Sequence, residues 1–363
     1  MSRNGRGMAG YRPPLRTCTQ GFPDRRSSCS RKANKEQGMR FLWRIIVLTA
    51  VSVLVSVAIL WFVLTQPTWR TSAENLPASI DPARLERHTR MLSETFVPRD
   101  AGHPENLDRA AAYVRDEFDK AGGRVVEQPF QVDGSTYRNV IACFGPETQD
   151  RIVVGAHYDA FEEWPGADDN AGAVAGLIEL AHLLRKSSLN TLVELVAYSL
   201  EEPPYYGTPH MGSAVHASSL KARNRSVRIM ICLEAIGFFN DRQGSQKFPF
   251  ILLKAFYPSR GDFIAVVGKM DQTDVVRRVK RAMRGVSPLP VHSINAPAIV
   301  PGIDFSDHRN YWREGWKAVM ITDTAFYRNA SYHTAGDTAD TLDYKRMAMV
   351  VQGVHQAVLH FSR

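Results

Sequence analysis

Hydrophobic patterning divides the chain into three stretches. Residues 1–44 show no apolar periodicity and are rich in Arg, Ser, Gly and Pro, a composition expected of a disordered tail. Residues 45–69 then run for 25 positions without a charge, and 45–64 are nearly all Ile, Val, Leu, Ala and Ser. As a helix, about 20 such residues rise about 30 Å, the thickness of a bilayer's hydrocarbon core. Trp43, Trp61 and Trp69 stand near the two ends, where interfacial aromatics belong. Beyond residue 80 the pattern changes again. Helical spacing predicts helices over 81–94, 105–121, 171–186, 212–223, 273–284 and 343–362. Short, mostly continuous apolar runs predict strands over 139–144, 152–157, 191–199, 227–236, 263–268 and 318–322. The two alternate. Strands apolar on both sides imply an α/β fold of three layers, a mostly parallel (mixed) sheet flanked by helices. The expected organisation is a tail (1–44), a transmembrane helix (45–65), a linker (66–80) and one large domain (81–363).

Charge sharpens this picture. The chain carries 45 Lys+Arg and 37 Asp+Glu, a formal net charge of +8. Residues 1–44 hold 11 basic and 2 acidic residues, net +9, leaving 34 and 35, net −1, for the remainder. The basicity therefore belongs to the tail, and a nucleic-acid partner for the body is not expected. Positive residues before the span, with Arg40 and Arg44 abutting it, place the N-terminus in the cytoplasm. The large domain is then expected to be extracytoplasmic, periplasmic or extracellular, held by a single-pass signal anchor in the lipid bilayer. A cleavable signal peptide is the competing reading, although its apolar region is ordinarily only about 7–15 residues. Met39 is an alternative start. Four cysteines exclude a disulfide scaffold. Cys18 and Cys29 fall on the reducing side, and Cys143 and Cys232 either pair or remain buried thiols.

In an open α/β sheet, ligands bind beyond the carboxyl ends of the strands. Histidines and acids recur at those ends here: His157 and Asp159, Glu201 and Glu202, Glu234, and a loop leading to His333. Taken singly, each has an ordinary explanation. Asp168-Asp169 would cap a helix, and Glu201-Glu202 would be a solvated pair. Taken together, His157, Asp169, Glu202, Glu234 and His333 form a nitrogen and carboxylate donor set without thiolate. Such a set suits two zinc ions, or other divalent ions such as manganese or cobalt. Asp169, just before the small-residue run Ala171-Gly172-Ala173, is the natural bridging carboxylate. Asp159 is placed to accept the other N–H of the His157 ring. The basic run Arg277-Arg278-Val279-Lys280-Arg281 is expected to be a solvated helix face.

The segments Gly155-Ala156-His157-Tyr158-Asp159, Gly166-Ala167-Asp168-Asp169-Asn170, Ser199-Leu200-Glu201-Glu202, Leu233-Glu234 and Tyr332-His333-Thr334 resemble, in order, the signature of the co-catalytic di-zinc aminopeptidases, peptidase family M28. Glutaminyl cyclases are relatives of that group. Ser306-Asp307-His308 and Asp337-Thr338 are supporting matches, and the resemblance runs from about Arg109 to the C-terminus. It implies a zinc-exopeptidase-like fold. One ion would be held by His157, Asp169 and Glu234, and the other by Asp169, Glu202 and His333. It further implies Glu201 as the general base acting on a metal-bridging water, Asp159 as the group orienting His157, and a cis peptide at Asp169–Asn170. The implied reaction is removal of the N-terminal residue of peptides with a free N-terminus, the α-amine binding beside a metal. Asp307, Tyr205 and Tyr206 are weaker expectations for the substrate pocket. Pro203-Pro204-Tyr205-Tyr206 stands where better-known members carry a glycine-containing turn, so substrate preference does not carry over. The alternatives are a single-zinc cyclase-like acyl transferase and an inactive, receptor-like ectodomain.

Overall fold

The computed structural model describes residues 25–68 and 80–363. Its helices are α1 (Arg25–Thr65), α2 (Pro82–Arg90), α3 (Pro104–Lys120), α4 (Gly172–Leu184), α5 (Gly212–Ala222), α6 (Thr273–Arg284), α7 (His308–Arg313) and α8 (Tyr344–Ser362). Its strands are β1 (Arg124–Val132), β2 (Ser135–Phe144), β3 (Asp150–His157), β4 (Leu192–Tyr198), β5 (Ser226–Leu233), β6 (Ile264–Gly268), β7 (Val291–Asn295) and β8 (Ala318–Thr322). The chain divides into two compact units, the first ending at Ala58 and the second running from Ile59 to Arg363.

In the first unit the described residues are all helical. The helix starts at Arg25, so residues 25–44 are not a disordered tail. Lys, Ala, Glu, Gln and Met in this stretch are competent helix formers, and a helix nucleated in the apolar span propagates through them at low cost. The earlier tail residues lie outside the described residues. The helix leaves its apolar side chains uncovered: Leu48 and Leu54 are each 68% exposed.

The body is built on one eight-stranded mixed sheet in the order β1-β2-β4-β3-β5-β8-β6-β7. The central pairs β4–β3, β3–β5 and β5–β8 are parallel, as is β6–β7, while β1–β2, β2–β4 and β8–β6 are antiparallel. Pleating sends successive side chains to opposite faces. Ile152 and Val154 of β3 join one core with α2, α3, α4, α6 and α8, and Val153 joins another with α5 and α7. Both faces being covered explains why the strands read as unbroken apolar runs. The predicted strands are present, but β1, β7 and α7 escaped prediction. β1 and β7 are the sheet's edges, where half-exposed residues dilute the apolar signal. Two glycines set the packing near the strand ends. A Cβ at Gly155 would fall 2.2 Å from the Tyr198 ring, and one at Gly176 would press on Ile236 and Val351 at 3.1 and 3.2 Å.

Helix α6 corrects the reading of the basic run. Lys280 is buried, and its Nζ donates to the Thr65 carbonyl at 2.6 Å and the Ser293 hydroxyl at 3.2 Å. Burial holds its ammonium down, to about 8. Gln66, expected to lie in a linker, is fully buried there. Cys143 and Cys232 are free thiols.

Candidate metal centre

The sheet delivers its chemistry at four strand ends. β3 ends on His157, β4 leads into Glu201 and Glu202, β5 into Glu234, and β8 into the loop that reaches His333. The turns needed to aim these side chains use left-handed backbone at non-glycine residues. Leu200 (φ 61°), Ala235 (φ 48°) and His333 itself (φ 56°) all sit beside or within the cluster. Such conformations cost on the order of 1–3 kcal/mol each and persist where surrounding structure enforces them. Asp169 comes from the turn before α4, and the Asp169–Asn170 peptide is cis.

The five expected ligand residues are brought together. Donor atoms of His157, Asp169 and Glu234 lie within 4.8 Å of one another, and so do those of Asp169, Glu202 and His333. The His157 Nε2 atom is 3.2 Å from Asp169 Oδ1 and 3.4 Å from Glu234 Oε2. His333 Nε2 is 3.0 Å from Asp169 Oδ2 and 3.2 Å from Glu202 Oε1. Two donors about 2.0–2.2 Å from one tetrahedral ion stand about 3.3–3.6 Å apart, close to these spacings. His157 Nε2, Asp169 Oδ1 and Glu202 Oε1 are buried without a hydrogen-bond partner. Buried polar atoms left unpaired around a common space, each a competent ligand, fit a pair of divalent cations bridged by Asp169. Glu201 stands beside them with Oε2 4.0 Å from His157 Nε2.

The electrostatics record the same crowding. Burial pushes the carboxyls of Glu202 and Glu234 up to about 7, reinforced in each by the charge of Asp169. Burial also drives Glu201 well above its ordinary range, against the pull of His157. Burial opposes the charged forms of Asp169 and both histidines, yet their mutual bonds prevail. Asp169 is held below the usual carboxylate range, while His333 rises to about 10 and His157 well above 6.5. These directions describe acids and imidazoles that have only each other to neutralise them.

The supporting groups differ in part from expectation. His157 Nδ1 lies nearer the Asp159 backbone carbonyl, at 3.2 Å, than the Asp159 carboxylate, at 3.5 Å. Asp159 Oδ1 faces that nitrogen, while its Oδ2 also accepts the Glu202 amide N–H at 3.0 Å, joining two of the strand ends. Asp307 is fully buried and both its oxygens lack a partner, and burial lifts it to about 7. It does not line the apolar cavity beside the cluster. Tyr205 turns away, its hydroxyl donating to Asp133, because the bend after Pro204 sends it toward the β1–β2 hairpin. Tyr206 faces the loop after β7, donating to the Asp304 carbonyl under the guanidinium of Arg309.

Several supports had no role assigned from the sequence, although Asn170, Ser306, Tyr332 and Asp337 fall within the matched segments. Ser306 donates to Glu234 at 2.7 Å, and Asn170 spans the Leu233 carbonyl and the Ala235 N–H. Phe161 and Tyr332 stack on the two faces of His333, at 4.1 and 3.9 Å between ring centroids. Asp337 accepts the N–H groups of Asp168 and Asp169. Arg99 is wholly buried beneath the carboxylates, and its guanidinium donates only to carbonyls, those of Leu92, Tyr158, Pro165 and Gly166. Its partners lie up to 67 residues away, so nothing beside it in the chain reveals its role.

A cavity of about 850 Å³, counting its open mouth, adjoins the cluster. Glu234 and Tyr332 form its inner end, and Phe248, Phe263, Ile294 and Met320 are among its apolar walls.

The model of peptidase family M28 matches residues 139–358. The chain is 47% identical over 294 residues to the uncharacterized protein YfbL of Escherichia coli strain K12, covering 79% of this chain and 90% of that protein. A zinc aminopeptidase from Bacillus subtilis shares the fold with a TM-score of 0.62 at 14% identity, over 78% of this chain and 95% of that one. A Bacteroides thetaiotaomicron glutaminyl cyclase bound to N-acetylhistamine does so with a TM-score of 0.58 at 18% identity, over 77% and 97%.

Proposed function

The chain belongs to peptidase family M28, and on that premise we propose that it is a membrane-anchored zinc aminopeptidase that removes the N-terminal residue of peptides. The observation that carries this reading is the pair of ligand groups sharing Asp169, with Glu201 beside them, its Oε2 4.0 Å from His157 Nε2. His157, Asp169 and Glu234 would hold one ion, and Asp169, Glu202 and His333 the other. Zinc bound there supplies Lewis acidity at the scissile carbonyl and lowers the pKa of the attacking water. Glu201 takes that water's proton and passes it to the leaving amine, a role suited to a carboxylate whose basicity burial has raised. Phe161 and Tyr332 clamp the His333 ring, while Ser306 and Asn170 hold Glu234, so both keep their aim without induced movement. The apolar cavity accepts the side chain of the residue to be removed and excludes water from the reacting end.

The glutaminyl-cyclase neighbour keeps a second reading in play, a single-zinc acyl transfer. The five-group cluster favours the peptidase, because one ion held by either triad leaves two of the five groups without a metal. The apolar, uncovered α1 supports a single span, with the N-terminus in the cytoplasm and the body outside. Digestion of a peptide library with and without chelator tests the function. Stepwise shortening from the N-terminus that stops on chelation is expected. Internal cleavage, or cyclisation of N-terminal Gln by a protein holding one zinc, would overturn it.

A further inference from the structure

Phe250, Ile251 and Leu252 form an unusual feature of the body's surface. They are 53%, 76% and 75% exposed and consecutive in sequence. Three large apolar residues in a row in water are costly unless something covers them. Their position supplies the cover. Ile251 and Leu252 open the short 3₁₀ turn Ile251–Ala255, and the Tyr257 N–H bonds back to the Leu253 carbonyl. The Tyr257 hydroxyl lies 3.4 Å from the Leu64 carbonyl, at the last residue of the uncharged aliphatic run, and donates to Ser293 at 2.8 Å. Arg277 stacks on the Phe62 ring at 4.7 Å. The body and the end of α1 are thus joined through α6, β7 and this turn, all within the unit that begins at Ile59.

If the span ends near Leu64, the Tyr257 hydroxyl stands at the boundary between hydrocarbon and headgroups, where tyrosine is favoured. At a 3₁₀ rise of about 2 Å per residue, Leu252 is about 10 Å of chain from Tyr257. That distance is comparable to the 5–10 Å depth to which interfacial elements bury. Lys254, on the same turn, is exposed and adds a cation beside the apolar residues. Apolar residues accompanied by a cation have the composition of a surface that enters a leaflet of anionic lipid. The β1 edge lies at the far side of the sheet and offers no such run.

We propose that Phe250–Leu252 is a second membrane-inserting element, which docks the body onto the lipid leaflet from which α1 emerges. This rests on the reading of α1 as a transmembrane span. The same turn contributes Leu253 and Tyr257 to the wall of the cavity that ends at Glu234. Insertion therefore places one wall of that cavity at the lipid surface.

The test uses the full chain in nanodiscs of phosphatidylcholine and phosphatidylglycerol, with a benzoylphenylalanine photoprobe placed in turn at Leu252, at Leu54 within α1, and at Lys120 beside the β1 edge. Leu252 is mostly exposed, so the probe displaces no packing. Lipid adducts at Leu54 and Leu252, with none above background at Lys120, are expected. Adducts at Leu54 without any at Leu252 would overturn the docking while leaving the span intact. No adduct at Leu54 would overturn the span and the docking with it. Equal adducts at Lys120, or protein–protein adducts at Leu252 in place of lipid, would show indiscriminate contact or a second copy of the chain, and either result would refute the proposal.

Discussion

The strand ends of the body bury acids and imidazoles with too few hydrogen-bond partners, whereas α1 leaves many leucines, isoleucines and valines about half to two-thirds exposed among the described residues. Both reverse the usual disposition of charge inside and outside a fold. The reversals are opposite in kind. In the body, residues from five separate segments are forced together, and the excess negative charge calls for cations. In α1, the apolar side chains of one continuous segment are exposed among the described residues, and on the proposed reading their counterpart is lipid. A local violation of burial thus points to a missing partner, and the partner's chemistry is the complement of what is left unsatisfied.

The largest effect is expected at Glu201, the acid that lies outside the two groups sharing Asp169. Glu201→Gln is expected to lower kcat by about 10²–10⁴-fold, the range of a general base. Metal analysis should show both ions retained. Full activity would remove Glu201 from the reaction. Metal removal probes the body's deficit directly. With ions at a thousandfold excess over Kd, the folded state gains about 4 kcal/mol. Chelation should therefore lower Tm in calorimetry, and zinc should restore it. An unchanged Tm would mean that the buried acids are satisfied in some other way. The α1 side is broken by Leu54→Arg, which costs about 3 kcal/mol at the centre of a span. Carbonate extraction should then release part of the protein from membranes. A soluble helix would tolerate the change without effect.

The smallest effect concerns a buried histidine outside the cluster. Burial, with the charge of Arg151, holds His216 at about 3 against an ordinary 6.5. The unfolded chain therefore binds this proton first as the pH falls. Stability from His216 is full above about 6.5 and is lost progressively toward about 3. Urea unfolding of the metal-free chain across that range should show a shallower pH slope in His216→Asn than in the parent. Equal slopes would show that His216 is protonated without cost in the fold.

The residues of the cluster were legible because strand ends, not contacts, announce them. His157, Glu201, Glu202 and Glu234 each follow an apolar run, and a parallel sheet gathers such ends at one edge. The α/β class and the central strands were legible for the same reason, since a strand covered on both faces must be apolar throughout. The edge strands β1 and β7 were not, because a half-exposed strand shares its composition with loops. The uncharged length of α1 was plain, yet its extension back to Arg25 was not, since helix propagation through polar residues leaves no apolar trace.

By itself, then, the sequence determined which side chains could bind metal, which segment could cross a bilayer and how the layers alternate. These follow from periodicity and from residue chemistry, which are local properties. Tertiary structure alone decided that Asp159 serves the Glu202 backbone, that Tyr205 points away from the cavity, and that Arg99 lies under the carboxylates. It also decided that Lys280, in a run of arginines, is buried against the end of α1. Each of these depends on the direction of a side chain relative to groups tens to hundreds of residues away, and no local pattern encodes such a direction.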